Sequence, residues 1–228
     1  MPPSMRARVA TFNIHHGLGA DGRLDLDRTS AVIRRIDPQL IALQELDRGL
    51  DRSGRVDQPA AIEEATGLTV RFRPTVTRPD GGEYGIALAS SEPLDDDFIA
   101  LPRRGDEEPR GAIVAVWRGV LVIATHLSTD RAARRGQVQA LVSRIEGRDG
   151  PVLLLGDLND RAFGLRPLRR AGLAFSRQSG RWLRWRGWAQ PIDHIAGGSG
   201  VRIEASRTIT TAASDHAPLF ADAEFPVH

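Results

Sequence analysis

Val152-Leu153-Leu154-Leu155-Gly156-Asp157-Leu158-Asn159 is the stretch on which the fold turns. Four branched aliphatic residues in a row read as a strand buried on both faces. The run stops on a carboxylate, with a carboxamide two residues further on. A carboxylate in that position packs poorly but suits a site at the rim of a sheet. The pattern recurs along the chain. Val9-Ala10-Thr11-Phe12 runs into Asn13, Leu40-Ile41-Ala42-Leu43-Gln44 into Glu45, and Leu121-Val122-Ile123-Ala124-Thr125 into His126. Ser214-Asp215-His216 opens a further apolar run from Ala217 to Phe225. The repetition points to one site assembled from many strand ends.

Bulk properties bound what such a site can be. The 228 residues are enough for one large domain with a full core, and the expected organisation is a single domain over residues 1–228. With 41% hydrophobic and 26% charged residues the composition is globular. No apolar stretch approaches the roughly 20 residues of a membrane span, and Met1-Pro2-Pro3-Ser4-Met5-Arg6 has no apolar signal core. A cytoplasmic protein is therefore expected. Cysteine is absent, which excludes disulfides, thiolate metal sites and cysteine nucleophiles. Every basic residue is arginine, so the pI of about 10.1 accompanies a formal charge of only +2. Arginine keeps its charge at high pH and lifts the pI without adding charge at pH 7. The pI is thus weak support for nucleic-acid binding, and a lysine nucleophile is excluded.

Strand-like and helix-like segments alternate, with no repeat or linker. Asp25 or Asp27 caps a helix through Ile36, Pro59–Thr66 forms a short helix stopped by Gly67, and Thr129 or Asp130 starts one running to about Arg148. Further strands are expected near residues 68–73, 84–90, 111–117, 120–126, 151–156, 191–196, 201–209 and 217–225. Short turns such as Arg118-Gly119 favour antiparallel pairing, and Ala196-Gly197-Gly198-Ser199-Gly200 reads as a hairpin turn. Many strands with few helices suggest two packed sheets with helices outside.

The set Asn13, Gln44-Glu45, Thr125-His126-Leu127, Gly156-Asp157-Leu158-Asn159, Ile192-Asp193-His194 and Ser214-Asp215-His216 resembles the endonuclease/exonuclease/phosphatase superfamily, the DNase I-like phosphoesterases. Six motifs in the family's order cover nearly the whole chain. The resemblance implies an α+β fold, a four-layer α/β/β/α sandwich of two mixed β-sheets flanked by helices. It implies hydrolysis of phosphate esters with Mg²⁺, for which Mn²⁺ could substitute. Glu45 would be the principal metal ligand, supported by Asn13 and Asp215. Asp157 would position or deprotonate the attacking water, and Asn159 would bind a phosphate oxygen. His216 would contact the phosphoryl group with Asp193 holding its imidazole, and His126 would stabilise developing charge or protonate the leaving group.

These residue types suit the chemistry in their own right. Mg²⁺ keeps several waters and takes one or two carboxylates, and in-line attack needs a base on one side and an acid or metal on the other. Ser214-Asp215-His216 is no nucleophilic triad, because three consecutive side chains cannot relay hydrogen bonds, and no Gly-x-Ser-x-Gly elbow occurs. Asp157 and Asn159 could also form an Asx turn.

Around this set, His15, His16 and Arg48 are candidate substrate contacts on rim loops, and Glu83 is a candidate partner for His126. Many relatives carry Asn where this chain has Ile86. Between Asn159 and Asp193, arginines interleave with Trp182, Trp185 and Trp188. That segment suits phosphate contact with base stacking or an anionic membrane surface, with Trp185 as the substrate-binding candidate, and equally suits a structural strand. The expected activity is hydrolysis of a phosphodiester, in a nucleic acid or a phospholipid or sphingolipid headgroup, by a monomer without an obligate protein partner. The alternatives are a phosphomonoesterase acting on a small metabolite, or a non-catalytic binding protein on the same fold.

Overall fold

The computed structural model describes residues 4–161, 163–177 and 191–226 in full, and residues 183–184 and 187–188 as backbone. Strand alternation sorts the apolar runs onto two faces. In β1 (Ser4–Asn13) and β2 (Leu40–Arg48), Val9, Leu40 and Ala42 face one core while Phe12, Ile41 and Leu43 face another. These strands lie parallel and are joined by β3 (Thr69–Thr77) and β4 (Glu83–Ser90).

A second sheet contains β5 (Asp96–Ala100), β6 (Gly111–Trp117), β7 (Val120–His126), β8 (Val152–Asp157), β9 (Ala174–Phe175) and β12 (Asp193–Gly198), in the order β5-β6-β7-β8-β12-β9. Between the last two in sequence, β10 (Leu183–Arg184) and β11 (Gly187–Trp188) form a separate hairpin. The first sheet is completed by β13 (Arg202–Ile203), β14 (Arg207–Thr208) and β15 (Leu219–Pro226), in the order β13-β15-β1-β2-β4-β3 with β14 also on β15. Each sheet is mixed, since β1–β2 and β7–β8 are parallel and the other pairs antiparallel.

The sheets face each other across a core that includes Val9, Ala42, Leu88, Val122, Leu155, Ile195 and Phe225. On the outside of the first sheet, α1 (Leu26–Ile36) and α2 (Gln58–Thr66) contribute Val32, Ile33, Ile36 and Ile62. On the outside of the second, α3 (Arg131–Ile145) and α4 (Arg166–Arg170) contribute Val138, Leu141, Ile145 and Leu168. This is the expected four-layer α/β/β/α sandwich. Each buried leucine or isoleucine of these layers contributes roughly 1.5–3 kcal/mol of transfer free energy.

Local chemistry sets the element ends. Asp25, not Asp27, caps α1 by accepting from the Arg28 N–H, and Asp130 caps α3 through Ala132 and Ala133. α2 ends on Gly67 in the left-handed region, as expected. Arg118 and Gly119 both have positive φ, the geometry of a tight hairpin, and they join antiparallel β6 and β7. Ser199 and Gly200 also have positive φ, but the expected hairpin at residues 196–200 is not formed: 196–198 belong to β12, and the turn carries the chain from the second sheet to β13 in the first. Two further expectations need revision. Residues 201–209 form two short strands rather than one, and β5 is an additional strand. Its leading Asp96-Asp97 pair masked it, yet Asp96 is held in place by Arg73.

Candidate active site

The site is built from strand ends that share a face. Asn13 continues the inward parity of Val9, His126 that of Val122 and Ala124, Asp157 that of Leu153 and Leu155, and Asp193 that of Ile195. The register then sets them side by side: His126 opposite Asp157, and Asp157 opposite Asp193. Close strand approach demands Gly156, because a Cβ there would stand 2.1 Å from the Thr125 carbonyl oxygen.

Glu45 reaches this rim by a different route. Strict alternation from Ile41 and Leu43 would send it to the helix-covered face. A register shift between Gln44 and Leu46, with Glu45 at φ 61°, forms a bulge that turns its side chain to Asn13 instead. Bulges beside active sites commonly re-aim a side chain in this way.

Asp157 is the hub. Its Oδ2 accepts from Asn13 Nδ2 at 3.2 Å and lies 3.5 Å from His126 Nε2 and 3.8 Å from His216 Nε2. Asn13 Nδ2 also donates to Glu45 Oε1 at 2.8 Å, so one amide holds two carboxylates together. His216 Nδ1 lies 2.9 Å from Asp193 Oδ2, and the His216 backbone N–H donates to Ser214 Oγ. The expected Asp193–His216 pair is therefore present. His194 faces the other way, with Nε2 on the Asp160 carbonyl oxygen and its ring against Phe175.

Charge follows geometry. Burial raises the Asp157 carboxyl well above its ordinary range, to about 7, and the nearby Asp193 charge adds to the effect. Burial opposes charge on His216, but Asp193, Asp157 and Asp215 outweigh it and push the imidazole up to about 10. His126 moves the opposite way: fully buried beside Arg110, it is held neutral. His16 is lowered as well, by burial and by Arg52.

The remaining candidates divide. Asn159, at φ 48°, forms the Asx turn by donating its backbone N–H to Asp157 Oδ1, and its side-chain amide donates to the Leu127 carbonyl oxygen. His15 and His16 stand beside Glu45: one ring nitrogen of each and a Glu45 carboxylate oxygen all lie within 4.8 Å of one another. The Asp215 carboxylate lies 3.7 Å from His15 Nδ1. Arg48 is paired with Glu83 and sits over Phe72, lining a groove with Asp57, Arg71 and Asp96 that none of the cluster residues enters. Glu83 is thus engaged with Arg48, and the partner of His126 Nδ1 is Arg110, at 2.7 Å. Trp185 and Trp182 lie outside the described residues, as do the side chains of Arg184 and Trp188.

Arg110 is the site residue that sequence reasoning missed. A signal existed: β6 and β7 are an antiparallel hairpin, so the residue preceding β6 must lie beside the end of β7. Arg52 was missed too. It forms a paired contact with buried Asp47 and sits over Tyr84.

The donor set fits a hard or borderline divalent cation, with one carboxylate flanked by imidazole and amide groups. Two mixed sheets between helices, with carboxylates, carboxamides and imidazoles gathered at one rim, constitute a DNase I-like phosphoesterase fold. The chain belongs to the Endonuclease/Exonuclease/phosphatase family, whose profile matches residues 10–216. Among curated proteins nothing matches. Solved structures do. An endonuclease/exonuclease/phosphatase from Beutenbergia cavernae superposes with a TM-score of 0.80 at 23% identity, covering 96% of this chain and 72% of that one. A mannosyl-6-phosphatase from Bacteroides thetaiotaomicron gives 0.72 at 17% identity, covering 95% and 98%. The catalytic domain of human Nocturnin with bound sulfate gives 0.71 at 19%, covering 99% and 97%. At these identities the likeness concerns the fold.

Proposed function

We propose that this chain is a divalent-metal-dependent phosphoesterase that hydrolyses a phosphodiester by in-line attack of water. The observation that carries the reading is the convergence on Asp157 Oδ2 of Asn13, His126 and His216, with Glu45 tied to the same amide. Glu45 would hold the cation, with Asn13 at its side, and the bound cation would neutralise charge on the phosphoryl oxygens.

The chain's own residues carry the proton and orient the groups. A carboxyl raised to about 7 is poised near neutral pH, which suits a general base. Asp157 takes a proton from water as the water oxygen bonds to phosphorus. The opposite phosphorus–oxygen bond breaks, and its electron pair leaves with the departing oxygen. His216, charged and fixed by Asp193, donates from Nε2 to a phosphoryl oxygen. His126, neutral with its proton on Nε2, also serves as a hydrogen-bond donor. This favours charge stabilisation over proton release for His126. Donors aimed at developing charge in a water-poor site are worth about 10²–10³ in rate each.

The deciding experiment is hydrolysis of bis-p-nitrophenyl phosphate and p-nitrophenyl phosphate with Mg²⁺ or Mn²⁺, with and without EDTA. Diester turnover that disappears in EDTA and in Asp157→Asn supports the reading. Preference for the monoester would replace it with a phosphomonoesterase. No turnover of any ester by folded, metal-loaded protein would leave a binding protein on this fold.

A further inference from the structure

The turn that follows β1 places two imidazoles against the metal carboxylate. His15 and His16 have φ of 47° and 45°, and their rings meet edge to face with centroids 4.6 Å apart. The backbone that holds them there is pinned from both sides. Asn13 Oδ1 accepts from the His15 N–H at 3.0 Å, and buried Gln58 donates from Nε2 to the His16 carbonyl oxygen at 2.7 Å while accepting from the Asp47 N–H. Nδ1 of each ring is shielded from solvent and makes no hydrogen bond; that of His15 has the Asp215 carboxylate 3.7 Å away, and that of His16 has no polar partner. Unpaired buried polar atoms are uncommon and call for a partner, and neutral imidazole nitrogen is a donor that transition cations prefer and Mg²⁺ does not.

From this geometry we propose that His15, His16 and Glu45 form a three-ligand site for a borderline transition cation, Zn²⁺ being its representative. Two imidazoles and one carboxylate with a position left open is a donor set suited to catalytic zinc. The inference deepens the phosphoesterase reading, since it concerns the ion that Glu45 takes. It departs from the oxygen-rich Mg²⁺ site expected from sequence, and it assigns His15 and His16 to metal rather than substrate.

The test uses the full chain, stripped of metal, and reads binding rather than turnover. Histidine ring ¹⁵N resonances are followed by NMR as Zn²⁺ is added to one equivalent, and separately with Mg²⁺ at millimolar concentration. The expected result is displacement of the His15 and His16 ring nitrogens by Zn²⁺ and not by Mg²⁺. Zn²⁺ affinity measured by calorimetry should fall at least about tenfold in Glu45→Gln and in the double variant His15→Asn/His16→Asn. Asparagine tolerates positive φ, so the double variant keeps the turn. Rings that stay unmoved, displacement of His216 instead, or unchanged Zn²⁺ affinity in the folded double variant would each overturn the proposal. Hydrolysis with Mg²⁺ by a protein whose His15 and His16 ignore Zn²⁺ would sink this inference and leave the phosphoesterase reading standing. Imidazole coordination in a protein that hydrolyses nothing would do the reverse.

Discussion

Arg110 Nη1 lies 2.7 Å from His126 Nδ1, and this contact decides where the proton of His126 sits. A guanidinium can only donate, so Nδ1 accepts and the ring proton resides on Nε2, 3.5 Å from Asp157 Oδ2. Arg110 is itself largely enclosed and paired with Glu108, so the arrangement is fixed before any substrate arrives.

Replacing Arg110 with methionine should therefore free His126 to change tautomer. The expected effect is a fall in kcat of roughly 10²-fold, with KM little changed. Ring ¹⁵N shifts of His126 should show loss of the Nε2–H form. A variant that loses activity while keeping the wild-type His126 signature would refute the positioning role.

The His216–Asp193 pair carries a pH signature of stability. The folded pKa of His216, about 10, lies above its ordinary 6.5. Its contribution is therefore fully present below pH 6.5 and is lost as pH rises through 10. The raised carboxyl of Asp157 acts with the same sign at lower pH. In chelator, urea midpoints should fall between pH 7 and 10, with a slope of at most about 1.4 kcal/mol per pH unit for each proton involved. Asp193→Asn should flatten that slope. An unchanged slope would mean that His216 is not the group responsible.

What the sequence made legible was whatever obeys strand alternation. Asn13, His126, Asp157 and Asp193 each extend an inward-facing apolar series, so reading the runs to their last residue found them and the sheets together. Arg110 was hidden because it sits in a loop crowded with charge, Arg103-Arg104-Gly105-Asp106-Glu107-Glu108-Pro109. Only the hairpin partner of β6 distinguishes it. The His15–His16 turn was legible as a rim loop, but the backbone path that sets the two rings beside Glu45 is held by a distant residue, Gln58. β5 was lost to its two leading aspartates: Asp96 is paired with Arg73 from the other sheet, and Asp97 is exposed.

Gly156→Ala should show how tightly β7 and β8 are set. The new methyl would meet the Thr125 carbonyl oxygen, a backbone atom that cannot swing away. Strands must separate or twist, which costs about 1–3 kcal/mol and displaces Asp157 from His126. Thermal unfolding and kcat should both fall. Wild-type activity in this variant would show that the Asp157 position tolerates movement.

Alternation alone would have buried Glu45 under α1 and α2, and the bulge that brings it to Asn13 carries strain. A non-glycine residue held at positive φ costs on the order of 1–3 kcal/mol, and here the residue at φ 61° is Glu45, the carboxylate proposed to hold the cation. Glycine adopts that conformation freely, at the expense of about 0.5–1 kcal/mol of unfolded-chain entropy. The Glu45→Gly variant should accordingly be at least as stable as the wild type in chelator while losing metal binding and hydrolysis together. The measurement is a pair of urea titrations, with and without divalent cation. The wild type should gain stability on adding metal and the variant should not, because only an intact carboxylate links binding to folding. A variant clearly less stable than the wild type in chelator would show that the bulge is unstrained, and that Glu45 is held there by its bond from Asn13 and not by its service to the cation.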